Sequence, residues 1–82
     1  MSGYSPQEFA LHEDLSIRET LLFYSSLNQM NASDFIARKT YLLEMLDLPS
    51  EKRIIKTLSG GQQRRVSLAV ALLHNPELLI QI

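Results

Sequence analysis

The stretch TLSGGQQRR, residues 57–65, places two adjacent glycines at the mouth of a helix. Ser59 is followed three residues later by Gln62, which is the spacing of a capping box, where each side chain bonds the other residue's backbone N–H. The chain has only three glycines, and two of them, Gly60 and Gly61, lie inside this helix start. The question is why two glycines lie together at the start of a helix.

The residues behind this turn predict a buried helix. Between residues 66 and 73 only Ser67 is polar, so the helix is apolar nearly all round and must be surrounded by other elements. It should reach about His74, because the Asn75-Pro76 pair disfavours helical geometry. Two further helices and a short strand look too little to enclose it. We therefore expect missing neighbouring protein and an isolated chain of marginal stability.

Two more helices are predicted upstream. Ser16 and Glu19 form a second capping box, and residues 28–32 interrupt the helical pattern that follows it. The second helix should begin at Asn31 or Ser33 and end at residues 48–50. The residues expected to face inward are Ile17, Leu21, Tyr24 and Leu27 in the first helix, and Phe35, Ile36, Leu42, Leu43 and Leu46 in the second.

The remaining segments complete a mainly α fold. Residues 52–56 are basic and most simply form a solvated connecting loop, and residues 78–80 are typical of the start of a buried strand. The sequence thus predicts about three helices and a terminal strand. We find no internal repeat, low-complexity tract or long linker.

Composition excludes several classes of protein. The 82 residues carry a net charge of −1 and no basic stripe, so no nucleic-acid partner is expected. Cysteine is absent, which excludes disulfides and thiolate metal sites and favours a reducing compartment. The longest apolar run, residues 68–73, is far shorter than the roughly 20 residues that cross a bilayer.

The double glycine is well placed to bind a phosphate group. The first turn of a helix has backbone N–H groups without partners and carries the positive end of the helix dipole. Gly60 and Gly61 lack side chains that would keep a phosphate away, while Ser59 and Gln62 could each add a hydrogen bond. The alternative is an ordinary capped helix start after a flexible connector, which is common for Ser-Gly-Gly.

The wider sequence resembles a known family. Residues 58–80, LSGGQQRRVSLAVALLHNPELLI, closely resemble the signature motif, signature helix and approach to the Walker B strand of ABC-type ATPases. Residues 3–8, GYSPQE, look like the Q-loop of that family, and residues 15–21 like the helix start after it. The resemblance covers essentially the whole chain. Its signature region is most similar to half-transporters of subfamilies G and H.

The resemblance implies a fold and a division of the chain. The chain would be the helical subdomain of a P-loop α/β nucleotide-binding domain, from the Q-loop to the start of Walker B. The implied parts are residues 1–14 as the Q-loop region, 15–57 as the helical subdomain, 58–76 as the signature motif and helix, and 77–82 as the start of the Walker B strand.

The resemblance also implies site residues and partners. In this family ATP sits on the Walker A loop of one domain and is closed over by the signature motif of a second, head-to-tail domain. Ser59, Gly60 and Gly61 would contact the γ-phosphate, and Gln62 would support their turn. Gln7 would be the catalytic and metal-binding residue, reaching the Mg²⁺ ion and the attacking water.

Transmembrane domains are the other implied partner, with the protein on the cytoplasmic face of a membrane. The Q-loop region and first helix would touch them, with Phe9, Leu11 and Tyr24 as candidate contacts. Arg64 is expected to be a solvated helix charge, whereas Arg65 matches the usual arginine of the family and is expected to form a salt bridge within the domain.

Departures from the family pattern keep other readings open. No Gly-x-x-x-x-Gly-Lys-Ser/Thr loop occurs, and Gln81 and Ile82 stand where an aliphatic residue and the Mg²⁺-associated aspartate are expected. We expect the complete protein to hydrolyse ATP and the 82 residues alone not to. One alternative is a soluble ABC ATPase of translation or DNA repair. Another, favoured by Gln81 and Ile82, is a truncated non-catalytic helical interaction module.

Overall fold

A computed structural model describes residues 11–74. Its elements are α1 (Ile17–Leu27), α2 (Ala32–Met45), a short 3-10 turn (Ile55–Thr57) and α3 (Gly60–His74). The prediction of a mainly α fold with three helices is confirmed. The predicted strand at residues 78–80 lies outside the described residues, as does Gln7.

The first helix starts where the capping box predicts. The Ser16 backbone N–H donates to Glu19 Oε1 at 2.9 Å, and the Glu19 N–H donates to Ser16 Oγ at 3.1 Å. Both reciprocal bonds of the box are therefore present. This fixes the start of α1 at Ile17.

The basic segment before α3 is not the solvated loop that we predicted. Its backbone bonds the residues around the start of α1, and Ile55 is fully buried. The charges of this segment suggested exposure, but the Ile54-Ile55 pair inside it supplies the apolar surface that anchors it. The connecting bonds are Ile17 N to Arg53 O at 3.0 Å, Arg18 N to Glu51 O at 2.9 Å, Ile55 N to Leu15 O at 2.8 Å and Lys56 N to Glu13 O at 3.0 Å.

The start of α2 is decided in favour of one of the two candidate caps. Asn31 Oδ1 accepts a hydrogen bond from the Asp34 N–H at 2.8 Å, so Asn31 rather than Ser33 is the N-cap. The helix ends at Met45, somewhat before the predicted end at residues 48–50. Asp47 adopts a left-handed conformation with φ of 53°, and this turns the chain out of the helix before Pro49.

Two residues predicted to face inward are exposed. Leu27, the last residue of α1, is 60% exposed. Ile36 is 56% exposed, while its neighbour Phe35 is buried. Adjacent residues of a helix differ by about 100° in direction, so the two cannot share the inward position. The other predicted inward residues are buried or partly buried against the core.

The core is built around α3, which packs chiefly against α1 and to a lesser extent against α2. Residues 66–73 of α3 are buried except Leu68, which is partly buried. These residues are buried, so the expectation that two further helices and a strand are too little to enclose them is wrong. The core residues are Ile17, Leu21, Phe35, Leu42, Ile55, Leu58, Val66, Ala69, Val70, Leu72 and Leu73.

An ion pair joins α2 to the segment that leads to α3. Lys39 Nζ lies 2.7 Å from Glu51 Oε1, and the two side chains are 11% and 31% exposed. The ammonium group also lies 5.7 Å from the centroid of the Phe35 ring, in cation–π range. None of the described helices combines the length and apolarity needed to cross a bilayer.

Candidate functional site

The first turn of α3 has the predicted capping box. The Ser59 N–H donates to Gln62 Oε1 at 3.0 Å, and the Gln62 N–H donates to Ser59 Oγ at 3.1 Å. The Gln63 N–H bonds Ser59 O at 2.9 Å and closes the first helical turn. Ser59 therefore stands at the N-terminus of the helix, with Gly60 as its first residue.

Nothing within the described chain requires glycine at positions 60 and 61. Neither residue has a positive φ, and a Cβ atom added to either would meet no atom within 4 Å. Both residues are exposed. Glycine inside a helix costs up to about 1 kcal/mol relative to alanine, so the pair weakens the helix without any gain in backbone freedom or packing. Neither packing nor backbone conformation among the described residues accounts for these glycines.

The turn presents hydrogen-bond donors to solvent. Among residues 11–74, the backbone N–H groups of Gly60 and Gly61 have no hydrogen-bond partner. Because Ser59 Oγ already accepts a bond, its hydroxyl proton is available to another acceptor. Gln62 uses its Oε1 in the cap, so its amino group is also available. Four donors at the positive end of a 15-residue helix suit an anion with several acceptor oxygens.

The start of α1 shows that a capping box alone does not create such a site. There the amides of Ile17 and Arg18 are already bonded to carbonyls of residues 53 and 51. The residue that completes that box is Glu19, the third residue of α1, whose carboxylate adds negative charge to the turn. At α3 the corresponding residue is the neutral Gln62, which makes the same cap without that charge. Compared with the start of α1, the α3 turn therefore combines free amides with a neutral capping residue.

Side chains behind the turn hold the residues that lead into it. Gln63 Nε2 donates to Ile55 O at 3.0 Å and to Leu58 O at 3.3 Å. Arg53 Nη2 donates to Thr57 O at 2.9 Å. The contribution of Gln63 was not predictable from the sequence, because its partners lie five and eight residues earlier, which matches no motif spacing.

Within residues 11–74, Arg65 does not form the salt bridge that we predicted. Its Nη1 instead lies 3.5 Å from Leu46 O and 3.4 Å from Asp47 O, at the C-terminal end of α2. The negative end of the α2 dipole favours a cation at this position without any carboxylate. Within the described residues the ion pairs are Lys39 with Glu51 and Lys56 with Asp14.

The family model for the ABC transporter matches residues 1–81 of this chain. The chain belongs to the ABC transporter family. It is 51% identical over 78 residues to ABC transporter G family member 23 of Dictyostelium discoideum, and 49% identical over 79 residues to member 20 of the same organism. It is 38% identical over 79 residues to the linearmycin resistance ATP-binding protein LnrL of Bacillus subtilis. These matches confirm the predicted resemblance, including its G-like character.

The ABC chain is short compared with these relatives. Each match covers 95% of this chain, but only 11% of either Dictyostelium protein and 25% of the Bacillus protein. No solved structure matches the chain. At the level of the family, the relatives point to ATP-driven transport, and the helical fold is that expected for a helical portion of an ABC nucleotide-binding domain.

Several predicted positions of this ABC chain are not tested by the structure. Gln7 and Phe9 lie outside residues 11–74, so the catalytic and Mg²⁺ roles of Gln7 stay predictions. Leu11 and Tyr24 are partly buried against the core, which leaves part of each side chain exposed. Within the described residues no group of three or more histidine, aspartate or glutamate side chains could hold a metal ion.

Proposed function

We propose that residues 59–62 form the signature turn of an ATP-binding domain and close over the γ-phosphate of an ATP held by a second, head-to-tail domain. In this proposal Ser59, Gly60 and Gly61 donate to the phosphate and Gln62 supports their turn. The observation that carries it is a pair of exposed glycines that nothing in residues 11–74 requires and whose amides have no partner there. Close approach of a nucleotide phosphate explains them.

The strength of such a site supports the need for a second domain. Each charge-assisted hydrogen bond contributes about 1.5 to 3 kcal/mol, and the helix terminus about 0.3 to 1 kcal/mol. Association costs at least about 4 kcal/mol in lost freedom. The turn alone would therefore hold ATP no better than roughly millimolar. Useful affinity requires another surface that binds the rest of the nucleotide.

The proposed work of the complete protein is ATP hydrolysis that drives transport across a membrane. Its relatives are named as ABC transporters and as a resistance ATP-binding protein, which favours transport over a soluble role in translation or DNA repair. Transmembrane domains are then the second partner, and the domain lies at the cytoplasmic face. Residues 1–14 would be the Q-loop region that relays the state of the site, with Gln7 near Mg²⁺ and the attacking water.

The remaining domain boundaries follow the same proposal. Residues 15–57 form the helical subdomain, 58–76 the signature motif and its helix, and 77–82 the start of the Walker B strand.

Phosphoryl transfer depends on a metal ion, a lysine and backbone groups held in place around the phosphates. Because the chain has no Walker A motif, we propose that it does not hydrolyse ATP by itself.

Two serine variants, compared with each other, test this proposal. Ser59→Ala and Ser16→Ala each remove the side chain of an N-cap, which costs about 0.5 to 2 kcal/mol of stability. Only Ser59 is proposed to touch ATP, so Ser59→Ala should lower the ATPase rate of the complete protein about tenfold or more, the effect of one lost charge-assisted bond. Ser16→Ala should leave the rate per folded molecule unchanged.

The measurement is phosphate release by the complete transporter, normalised to folded protein. Equal rates for Ser59→Ala and the unmodified protein would show that residue 59 does not contact the reacting nucleotide. The 82-residue chain alone provides a further check, since Mg²⁺-dependent phosphate release from it would contradict the proposal that only the complete protein hydrolyses ATP.

A further inference from the structure

The Gln63 side chain connects the first turn of α3 to the segment that precedes it. Its Nε2 lies 3.0 Å from Ile55 O in the 3-10 turn and 3.3 Å from Leu58 O, the residue directly before Ser59. The side chain is partly buried. One carboxamide thus joins α3 to both ends of residues 55–58, the segment that leads into residues 59–61.

The chemistry of these two contacts fixes the orientation of the carboxamide. Both partners are carbonyl oxygens, which only accept hydrogen bonds, so the amino group of Gln63 must face them. A carboxylate at this position would instead place negative oxygen against two carbonyl oxygens. A lysine would still offer donors, and methionine would offer none at similar length.

We propose that Gln63 is a positioning residue that aims the amides of Gly60 and Gly61 at the nucleotide. The proposal rests on the proposed function of the signature turn. By holding Leu58 O and Ile55 O, Gln63 sets the direction in which the chain enters Ser59 and the first turn of α3. The Gln63 amino group is engaged by two carbonyls of its own chain, so in this proposal Gln63 acts through residues 59–61 and not on ATP.

The arrangement matters because hydrogen bonds to a phosphate depend on direction. Donor angles above about 150° are preferred, and bonds weaken steeply below about 120°. The glycines have no side chains of their own to fix the turn. The capping box holds the turn from within, and Gln63 holds it to the body of the domain. Loss of that link should misdirect the donors without removing them.

Four variants of the complete transporter test this role. Gln63→Met should lower kcat for ATP hydrolysis about tenfold with a change of less than about threefold in KM, because the turn acts when the site closes. Gln63→Glu should lower kcat at least as much. Gln63→Lys should remain within about threefold of the unmodified protein. Gln29→Glu makes the same charge change at an exposed position and should leave kcat unchanged.

A double-mutant cycle separates positioning from simple structural support. If Gln63 acts through the signature turn, Gln63→Met should have an effect of less than about threefold in a Ser59→Ala background, where the turn is already impaired. A structural role would reduce activity by the same factor in both backgrounds. Equal factors, or full activity of Gln63→Met, would overturn the proposal. If Gln63→Met does not fold, the contrast between Gln63→Lys and Gln63→Glu decides, and equal activity of these two would also overturn it.

The activities of the Ser59 and Gln63 variants together distinguish the positioning role of Gln63 from the proposed function of the signature turn. Full activity of Ser59→Ala would remove the proposed signature role itself. Loss of activity in Ser59→Ala together with unmodified activity in Gln63→Met and Gln63→Glu would remove only the positioning role.

Discussion

Gly61→Leu is expected to lower ATP hydrolysis by the complete protein at least about 100-fold while leaving the fold intact. A leucine side chain would occupy the space through which a phosphate reaches the amides of residues 60 and 61. Loss of two charge-assisted hydrogen bonds, at about 1.5 to 3 kcal/mol each, accounts for a factor of this size or larger. The change is therefore a direct test of close approach.

The structure predicts the opposite effect of Gly61→Leu on stability. A Cβ at position 61 meets no atom within 4 Å, and the backbone there has no positive φ. Leucine is also a better helix former than glycine by up to about 1 kcal/mol. Thermal unfolding should thus be unchanged or slightly raised.

An exposed helix position supplies the control for this change. Thr40→Leu introduces the same side chain on the surface of α2 and should alter neither activity nor folding. ATP hydrolysis is measured for both variants alongside thermal unfolding. Activity of Gly61→Leu within about twofold of the unmodified protein would contradict a phosphate contact at this turn.

Ile55→Ala is expected to cost about 2 to 5 kcal/mol of stability, the usual range for a large apolar side chain truncated in a core. Ile55 is fully buried although it lies in a charged segment of the chain. Small domains have a total stability of about 5 to 15 kcal/mol, so this loss would be a large fraction of it. For a domain of this size the melting temperature should fall by roughly 10 °C or more.

Ile36→Ala is the matched control, because it removes the same atoms from a side chain that is 56% exposed. Its cost should stay below about 1 kcal/mol, since surface substitutions away from packed features change stability little. Urea or thermal unfolding followed by circular dichroism gives both values. Similar losses for Ile55→Ala and Ile36→Ala would contradict the buried position of the connecting segment.

The helix starts were predictable because they depend on residues three positions apart. Ser16 with Glu19, and Ser59 with Gln62, form their capping boxes through contacts inside one turn. The candidate phosphate site could be located for the same reason, since it consists of consecutive residues at a helix N-terminus. The helix limits at residues 60 and 74 also agree with the sequence prediction.

Exposure was less predictable, because it depends on which elements meet. Helical spacing allowed Leu27 and Ile36 to face inward, but the packing of α1 and α2 leaves both exposed. Conversely, the charges of residues 52–56 suggested a solvated loop, whereas the backbone of this segment bonds the start of α1. Local sequence cannot weigh a few charges against one buried isoleucine when the partner lies some 40 residues away.

The sequence by itself determined the family, the three helices and the donor-rich turn at residues 59–62, since each depends on a local residue pattern or on the residues of a known motif. Only the tertiary structure decided that the amides at the start of α1 are bonded, while those of Gly60 and Gly61 have no partner in the part of the chain that the structure describes. It also decided that Gln63 holds the approach to the turn. The contacts at the start of α1 join segments distant in the chain, and those of Gln63 follow no motif spacing, so a short motif could not predict either set.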